Sequence, residues 1–318
     1  MKIRLYLILF VFVSSAILGN TEVKKMIIPT PQIIKITNGS FILNDEIAIK
    51  IPSSEFEFHA KQIQTSLKSR FGINSEIDNG GMISLNLVTS FLKTNIDESL
   101  LDQAYSITIT EEKIEINALT ARGLFYGTMS FVQLLDKTAS KELPALEITD
   151  WPDMEMRGIS DDISRGQVST LNNFKRIIDF IARYKMNVYM PYLEDMIQLK
   201  SYPSIGKNRG ALSKNEIVEI VKYAQERYID VIPIFQTLGH FENILTSKEF
   251  VDYAEFPGAA SLAVTEKKTY TLLENMLSEV FDLFPSEYIN IGADESYDVG
   301  SGKSKKLTEK IGKAKVHA

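Results

Sequence analysis

From residue 154 onward the chain repeats a short apolar run followed by a stretch with helical spacing, and this repeat restricts the fold more than any other feature. Residues 156–163 read as a strand, and Thr170 can cap a helix that places Phe174, Ile177, Ile178 and Ile181 on one face. Residues 186–192 are the next apolar run. Ser213 and Glu216 then have capping-box spacing, ahead of a helix with Ile217, Ile220, Val221 and Ala224 inward. Residues 229–235 give a third strand, 266–284 a helix burying Leu273, Met276, Leu277, Val280 and Phe284, and 288–291 a fourth strand. Strands separated by helices pair in parallel through right-handed crossovers, so the predicted class is α/β. A doubly wound sheet and a (β/α)8 barrel both satisfy the pattern. No glycine-rich phosphate fingerprint follows the first strand, which counts against a nucleotide-binding sheet.

The preceding residues, 27–150, have a different rhythm. Ile28-Pro29-Thr30-Pro31 opens extended, Asn38-Gly39 marks a turn, and 40–51 read as one or two strands. Phe56, Ala60, Ile63 and Leu67 recur at helical spacing up to a stop at Gly72. Ile83, Leu85 and Leu87 alternate as in a half-buried strand, 107–109 and 114–116 flank a hairpin turn, and 121–135 form a helix with a mostly apolar face. This is a small α+β domain with room for its own core and no compelling polar constellation. His59 falls beside an apolar helix face, where packing outweighs ligation, and the lone Trp151 reads as a packing residue at the domain junction. Residues 151–318 are the second domain.

Composition narrows the chemistry. A net charge of -6 and pI near 5.3 disfavour nucleic acid and anionic membrane surfaces as partners. With no cysteine there is no thiol nucleophile and no thiolate metal site, and three histidines, His59, His240 and His317, are too scattered for a local metal cluster. Any catalysis rests on carboxylates, tyrosines or one histidine, without metal or cofactor. Lys2 and Arg4 followed by an apolar run and then Ser14, Ser15, Ala16 and Gly19 make residues 1–20 a signal peptide, which predicts export to the periplasm or outside the cell. No later stretch resembles a transmembrane helix.

Polar residues gather where the predicted strands end. Asp162 and Arg165 follow the first strand, Glu194 and Asp195 the second, His240 and Glu242 the third, and Asp294 and Glu295 the fourth, whereas Arg157 starts the first. The carboxyl ends of strands are where such barrels place their sites. The Asp-Glu dipeptide alone says little, since Asp45-Glu46 and Asp97-Glu98 repeat it.

In combination these residues resemble family 20 glycoside hydrolases, the β-N-acetylhexosaminidases. Arg157-Gly158-Ile159-Ser160-Asp161-Asp162-Ile163-Ser164-Arg165 is similar to the family's Arg-Gly-x-x-Leu-Asp-x-x-Arg, and Asn290-Ile291-Gly292-Ala293-Asp294-Glu295 to its His-x-Gly-Gly-Asp-Glu. Lys185-Met186-Asn187, Gly239-His240, Ile28–Pro31 and Arg122-Gly123-Leu124-Phe125-Tyr126-Gly127 extend the likeness over residues 27–318. Three positions depart from it: Asp161 for Leu, Asn290 for His and Ala293 for Gly. Ala293 adds one methyl and matters only if its φ is positive.

The resemblance implies a (β/α)8 barrel behind a non-catalytic α+β domain. It also implies removal of terminal N-acetylglucosamine or N-acetylgalactosamine from glycans by the family's substrate-assisted retaining route. Glu295 would be the general acid/base, kept able to carry a proton by partial burial and its anionic neighbour, and Asp294 would orient the 2-acetamido group. The two carboxylates are expected to diverge, as adjacent residues at a strand end do. Arg157 would grip sugar hydroxyls, Asp195 and His240 would line the pocket, and Asp162 with Arg165 would form a structural ion pair. Residues 154–318 amount to four strands where a whole barrel takes about 250 residues, so the chain reads as the front portion of a longer enzyme. Alone it is expected to be inactive, or to serve as a sugar-binding or assembly module. Oligomeric state is left open.

Overall fold

The computed structural model describes residues 23–90 and 96–317, so the predicted signal peptide lies outside the described residues. Among the described residues no helix is long and apolar enough to cross a membrane. The chain forms two compact units, one comprising residues up to Arg157 together with Ala182–Met186, the other Gly158–Ile181 and Asn187–Ala318.

The first unit is built on a seven-stranded mixed sheet. Its strands are β1 (Ile33–Ile42), β2 (Ala48–Lys50), β3 (Glu76–Ile77), β4 (Ile83–Leu87), β5 (Tyr105–Ile109), β6 (Ile114–Ala118) and β7 (Glu142–Asp150), in the order β1-β7-β5-β6-β4-β2-β3. The expected hairpin β5–β6 is antiparallel, with Ile107 opposite Ile116, and both strands alternate buried with half-buried residues. Asn38-Gly39 does not turn the chain. It lies inside β1, where the register with β7 slips between Ile36 and Ser40 and Gly39 takes φ +96°. That is a bulge, the other structure that a left-handed glycine serves in a strand.

Helix α1 (Glu57–Phe71) ends at Gly72, whose N–H reaches back to Leu67 and Lys68 carbonyls from φ 71°. Helix α2 (Ala121–Lys137) is buried along every position from Gly123 to Leu135, which fits its apolar composition. His59 is buried among the rings of Phe56, Phe58 and Phe125, with Nε2 3.2 Å from the Ala121 carbonyl oxygen. Burial lowers its pKa to about 4 against the opposing pull of that carbonyl.

The second unit carries the β/α repeat. Strands β8 (Gly158–Asp162), β9 (Val188–Tyr192) and β10 (Asp230–Val231) form a parallel sheet in the order β10-β9-β8. Between them run α3 (Leu171–Arg183) and α4 (Lys214–Gln225), the latter opened by a complete Ser213–Glu216 capping box. The short helix α5 (Glu242–Leu245) and the long helix α6 (Lys267–Leu283) follow. The third and fourth strands are shorter than their apolar runs suggested: Ile234 bridges Tyr192 and Asn290 in parallel beyond β10, and residues 288–291 contribute only that bridge. Tyr288 and Ile291 are exposed, and among the described residues the run pairs with one neighbour, Ile234. The unit is a (β/α)8-type segment of four β/α units whose strand ends converge on one group of polar residues.

Candidate active site

The loop after β8 begins the site. Asp162 Oδ1 accepts from the Ser164 N–H at 2.9 Å and its hydroxyl at 2.7 Å, which fixes the turn, and Oδ2 accepts from Arg165 at 2.6 Å. Burial pushes Asp162 up, but those donors and the Arg165 charge outweigh it and hold the carboxyl below its usual range. The predicted Asp162–Arg165 pair is therefore present, and Arg165 reaches further. Its other nitrogen lies 3.3 Å from Glu194 Oε1, and its guanidinium sits over the Tyr192 ring at 5.4 Å.

Glu194 follows β9 with φ 42° and a side chain only 3% exposed. Burial raises its pKa, and Arg165 and His240 restrain the rise. Its Oε1 is also 4.0 Å from His240 Nδ1. The other imidazole nitrogen, Nε2, faces the acid pair, at 3.6 Å from Asp294 Oδ2 and 3.4 Å from Glu295 Oε2. Arg165, Glu194, His240, Asp294 and Glu295 thus form one continuous chain of charge-bearing groups.

Gln236, the residue after the third apolar run, ties this chain to the backbone. Its buried amide donates to the Tyr192 hydroxyl and to Asp294 Oδ1, both at 2.8 Å, and accepts from the Ala293 N–H at 2.9 Å. The hydrogen bond from Gln236 is the main reason that Asp294 is held below the usual carboxylate range, with His240 adding to it. A side chain at Gly292 would put its Cβ 2.1 Å from the Gln236 amide oxygen, and Gly292 has φ 61°, so glycine is required twice over.

The two carboxylates do not diverge as extended residues would. Ala293 at φ 71° and Glu295 at φ 47° leave the strand conformation, which breaks the two-residue alternation and turns both acids toward one imidazole. The condition attached to Ala293 is met: the methyl stands where a glycine is favoured. Nor does Glu295 gain the expected burial, since its side chain is 56% exposed and that of Asp294 62%. Tyr297 contributes a hydroxyl 3.3 Å from Glu295 Oε1.

Two other predicted residues, Asp195 and Arg157, make contacts of their own. Asp195 is buried, its carboxylate 2.8 Å from Arg209 Nε, and Arg209 in turn donates to the Ser164 carbonyl. Asp195 therefore braces the loops behind the group. Arg157 belongs to the first unit, where it donates to the carbonyls of Met154, Glu155 and Lys185 and lies over Tyr126. The positional signal did single out Glu194 and Arg165, both at strand ends. Gln236 and Tyr192 carried none beyond their place at strand ends, being neutral. Among the described residues, His240, Asp294 and Glu295 could offer a metal three ligand atoms within 4.8 Å of one another, although exposed acids often approach in this way without an ion.

The His240 imidazole stands beside two adjacent carboxylates without hydrogen-bonding to either, and a buried amide favours the charged form of one of them. Comparison with known proteins agrees in both units. Residues 24–151 match the pattern of glycosyl hydrolase family 20, domain 2, and residues 154–318 that family's catalytic domain. The chain is 27% identical over 304 residues to a beta-hexosaminidase of Porphyromonas gingivalis, covering 85% of this chain and 38% of that protein. It is 28% identical over 308 residues to a beta-hexosaminidase of Vibrio furnissii, covering 86% and 49%. The crystal structure of a Flavobacterium johnsoniae chitobiase superposes with a TM-score of 0.78 at 27% identity, over 90% of this chain and 47% of that one. The chain spans half or less of the length of these relatives. With both of its units matched in order, it belongs to glycosyl hydrolase family 20.

Proposed function

We propose that this chain carries the acid machinery of a β-N-acetylhexosaminidase, which removes terminal N-acetylhexosamine from glycans by substrate-assisted retention. The observation that carries the reading is the placement of adjacent Asp294 and Glu295 beside His240, with Gln236 favouring the ionised form of Asp294. Cleaving a glycosidic bond requires a proton for the departing oxygen and stabilisation of positive charge at the anomeric carbon. Glu295 supplies the proton and later takes one from water. Asp294 accepts the acetamide N–H, so that the acetamide oxygen is aimed at the anomeric carbon and the positive charge that forms there is balanced.

Arg165 is the arginine we assign to the sugar hydroxyls, in place of Arg157. Its planar fork is held by Asp162 and Glu194, yet its side chain is 57% exposed. The natural ligand is then a glycan ending in N-acetylglucosamine or N-acetylgalactosamine, and the leader-like residues 1–20 support export.

Glu295→Gln should lower turnover by about 10²–10⁴-fold with a leaving group that needs a proton, and far less with one that does not. Equal losses on both would remove Glu295 from the acid role. A 2-hydroxy analogue without the acetamide should react poorly, and rapid turnover of it would point to a conventional two-carboxylate enzyme. The exposure of both carboxylates favours a second reading, in which the purified chain binds the sugar without turning it over. Binding of N-acetylglucosamine without hydrolysis of its aryl glycoside would select that reading.

A further inference from the structure

The connection between β9 and α4 departs from the acidic balance of the chain. Residues 198–214 include Lys200, Lys207, Arg209 and Lys214 and no aspartate or glutamate, although the chain carries a net charge of -6. The loop is closed at its neck, where the Gln198 N–H donates to the Leu212 carbonyl and the Gln198 amide to the Ala211 carbonyl, both at 2.9 Å. Gly206, Asn208 and Gly210 curl it with left-handed φ of 66°, 65° and 88°. A Cβ at Gly206 would meet the Asp195 carbonyl oxygen at 2.1 Å, so glycine lets the loop press against the residue that follows Glu194. The loop therefore belongs to the carboxyl end of β9, the same end as the acid group.

This loop encloses an open cavity of about 530 Å³, lined by buried Leu199 and Ile205 and by exposed Lys200, Lys207, Asn208 and Lys214. No carboxylate lines it. Arg209 is spent on Asp195, and Lys200 is partly balanced by Glu279, which accepts the Lys200 and Ser201 N–H groups at 2.7 and 2.8 Å. Lys207 and Lys214 form no ion pair among the described residues. Lys214 is also the first residue of α4, where the positive end of the helix repels it. The nearby acids are engaged otherwise, Glu216 in the Ser213 capping box and Glu249 with the Ser204 hydroxyl. The cavity therefore asks for negative charge, and ammonium groups bind a sulfate or carboxylate as point charges. A cavity of about 150 Å³ already accepts one six-membered ring, so this one has room for two, with the Asn208 amide at the rim for a hydroxyl.

We infer that the loop between β9 and α4 is a binding site for an acidic saccharide unit, whose sulfate or carboxylate is held by Lys200, Lys207 and Lys214. The inference rests on the reading of this chain as one that acts on glycans, and it adds a preference for glycans that carry negative charge. It does not depend on which carboxylate is the acid.

Brief acetylation of the purified chain, read lysine by lysine in a mass spectrometer, reports on this site without requiring turnover. A disaccharide of glucuronic acid and 6-sulfated N-acetylgalactosamine should slow modification of Lys200, Lys207 and Lys214 saturably and by about threefold or more, and leave exposed Lys222 and Lys267 unchanged. Neutral N,N'-diacetylchitobiose and sodium sulfate, each at the same ionic strength, should protect none of them. Glu295→Gln should retain the protection, so failure of Glu295 as the acid is read separately. Replacing exposed Lys207 and Lys214 together by glutamine should abolish the protection at Lys200, and replacing both by arginine should keep it. Absence of protection by the acidic disaccharide, or equal protection by the neutral one, would overturn the proposal. So would equal protection by sulfate, which marks an ion site without saccharide recognition, or undiminished protection of Lys200 in the glutamine variant.

Discussion

Replacing Gln236 with leucine tests how far a neutral amide governs the acid pair. The substitution keeps roughly the same volume and deletes three hydrogen bonds, to the Tyr192 hydroxyl, the Asp294 carboxylate and the Ala293 N–H. A bond to a charged group contributes about 1.5–3 kcal/mol and a neutral one about 1 kcal/mol. Asp294 is 62% exposed, so water replaces part of its share and the lower end applies. The added apolar burial of leucine offsets roughly 1 kcal/mol more. A net loss of about 2 kcal/mol is expected, equivalent to a Tm lower by about 4–8 °C for a unit of this size. The pH dependence carries the sharper signature. A carboxyl whose folded pKa is depressed contributes stability above its unfolded pKa and loses that contribution as pH falls through the folded value. Without Gln236, the main cause of the depression at Asp294 is gone, so the gap between wild type and variant should be widest near neutrality and narrow as pH falls below about 4. Urea denaturation followed by circular dichroism at pH 7, 5 and 3.5 measures both. Identical midpoints at pH 7, or a gap that stays constant down to pH 3.5, would refute the reasoning.

Two other substitutions isolate single contributions. Ala293→Gly relieves a methyl at φ 71°, where an L-residue pays about 1–2 kcal/mol, against an entropic loss for glycine of about 0.4–1 kcal/mol. A gain of about 0.5–1 kcal/mol should appear as a higher urea midpoint, and destabilisation would show that the methyl packs usefully. His59, with its pKa lowered to about 4 mainly by burial, should make the first unit lose on the order of 3 kcal/mol as pH falls from 6.5 to 4. His59→Leu should flatten that part of the stability profile, and an unchanged slope would place the acid sensitivity in other groups.

The β/α repeat was legible because apolar spacing and a capping box are local signals, and β8, β9, α4 and α6 lie within a few residues of their predicted limits. The fourth strand was less so, because the apolar run 288–291 records an affinity for burial, whereas a ladder needs partners, and Asn290 has one bridge. Arg157 and Arg165 belong to one motif but make different contacts. They flank the same strand, one before Gly158 and the other after Asp162; Arg157 donates to backbone carbonyls, whereas Arg165 reaches Asp162 and Glu194. The resemblance put Asp195 rather than its neighbour in the pocket, but the left-handed backbone at Glu194 directs that carboxylate toward His240, and Asp195 pairs with Arg209. Gln236 is the clearest loss. An uncharged amide after an apolar run looks like any polar strand end, and its importance lies in distances that sequence spacing does not encode.

Backbone conformation links these cases. Glu194, His240, Ala293 and Glu295 all have left-handed φ, between 42° and 71°, and all four belong to the acid group or hold it. At about 1–2 kcal/mol each, their combined cost of roughly 4–8 kcal/mol approaches the whole net stability of a typical domain. Such a concentration persists only where surrounding contacts overrule it. Here those contacts are identifiable: Gln236 against the 292–294 turn, Gly239 allowing the Asp294 carbonyl to approach, and the Thr237 hydroxyl donating to the Ile291 carbonyl at 2.9 Å. The strain has a geometric result, since it brings two successive carboxylates and a glutamate from another loop around one imidazole. Regular strand ends would have sent the successive pair to opposite faces. Of the four residues, Ala293 alone has no side-chain group in that constellation. It is therefore the position where stability can be raised without removing a chemical function, and a gain in stability accompanied by slower turnover in Ala293→Gly would mean that the stiffness of the turn itself serves the acid pair.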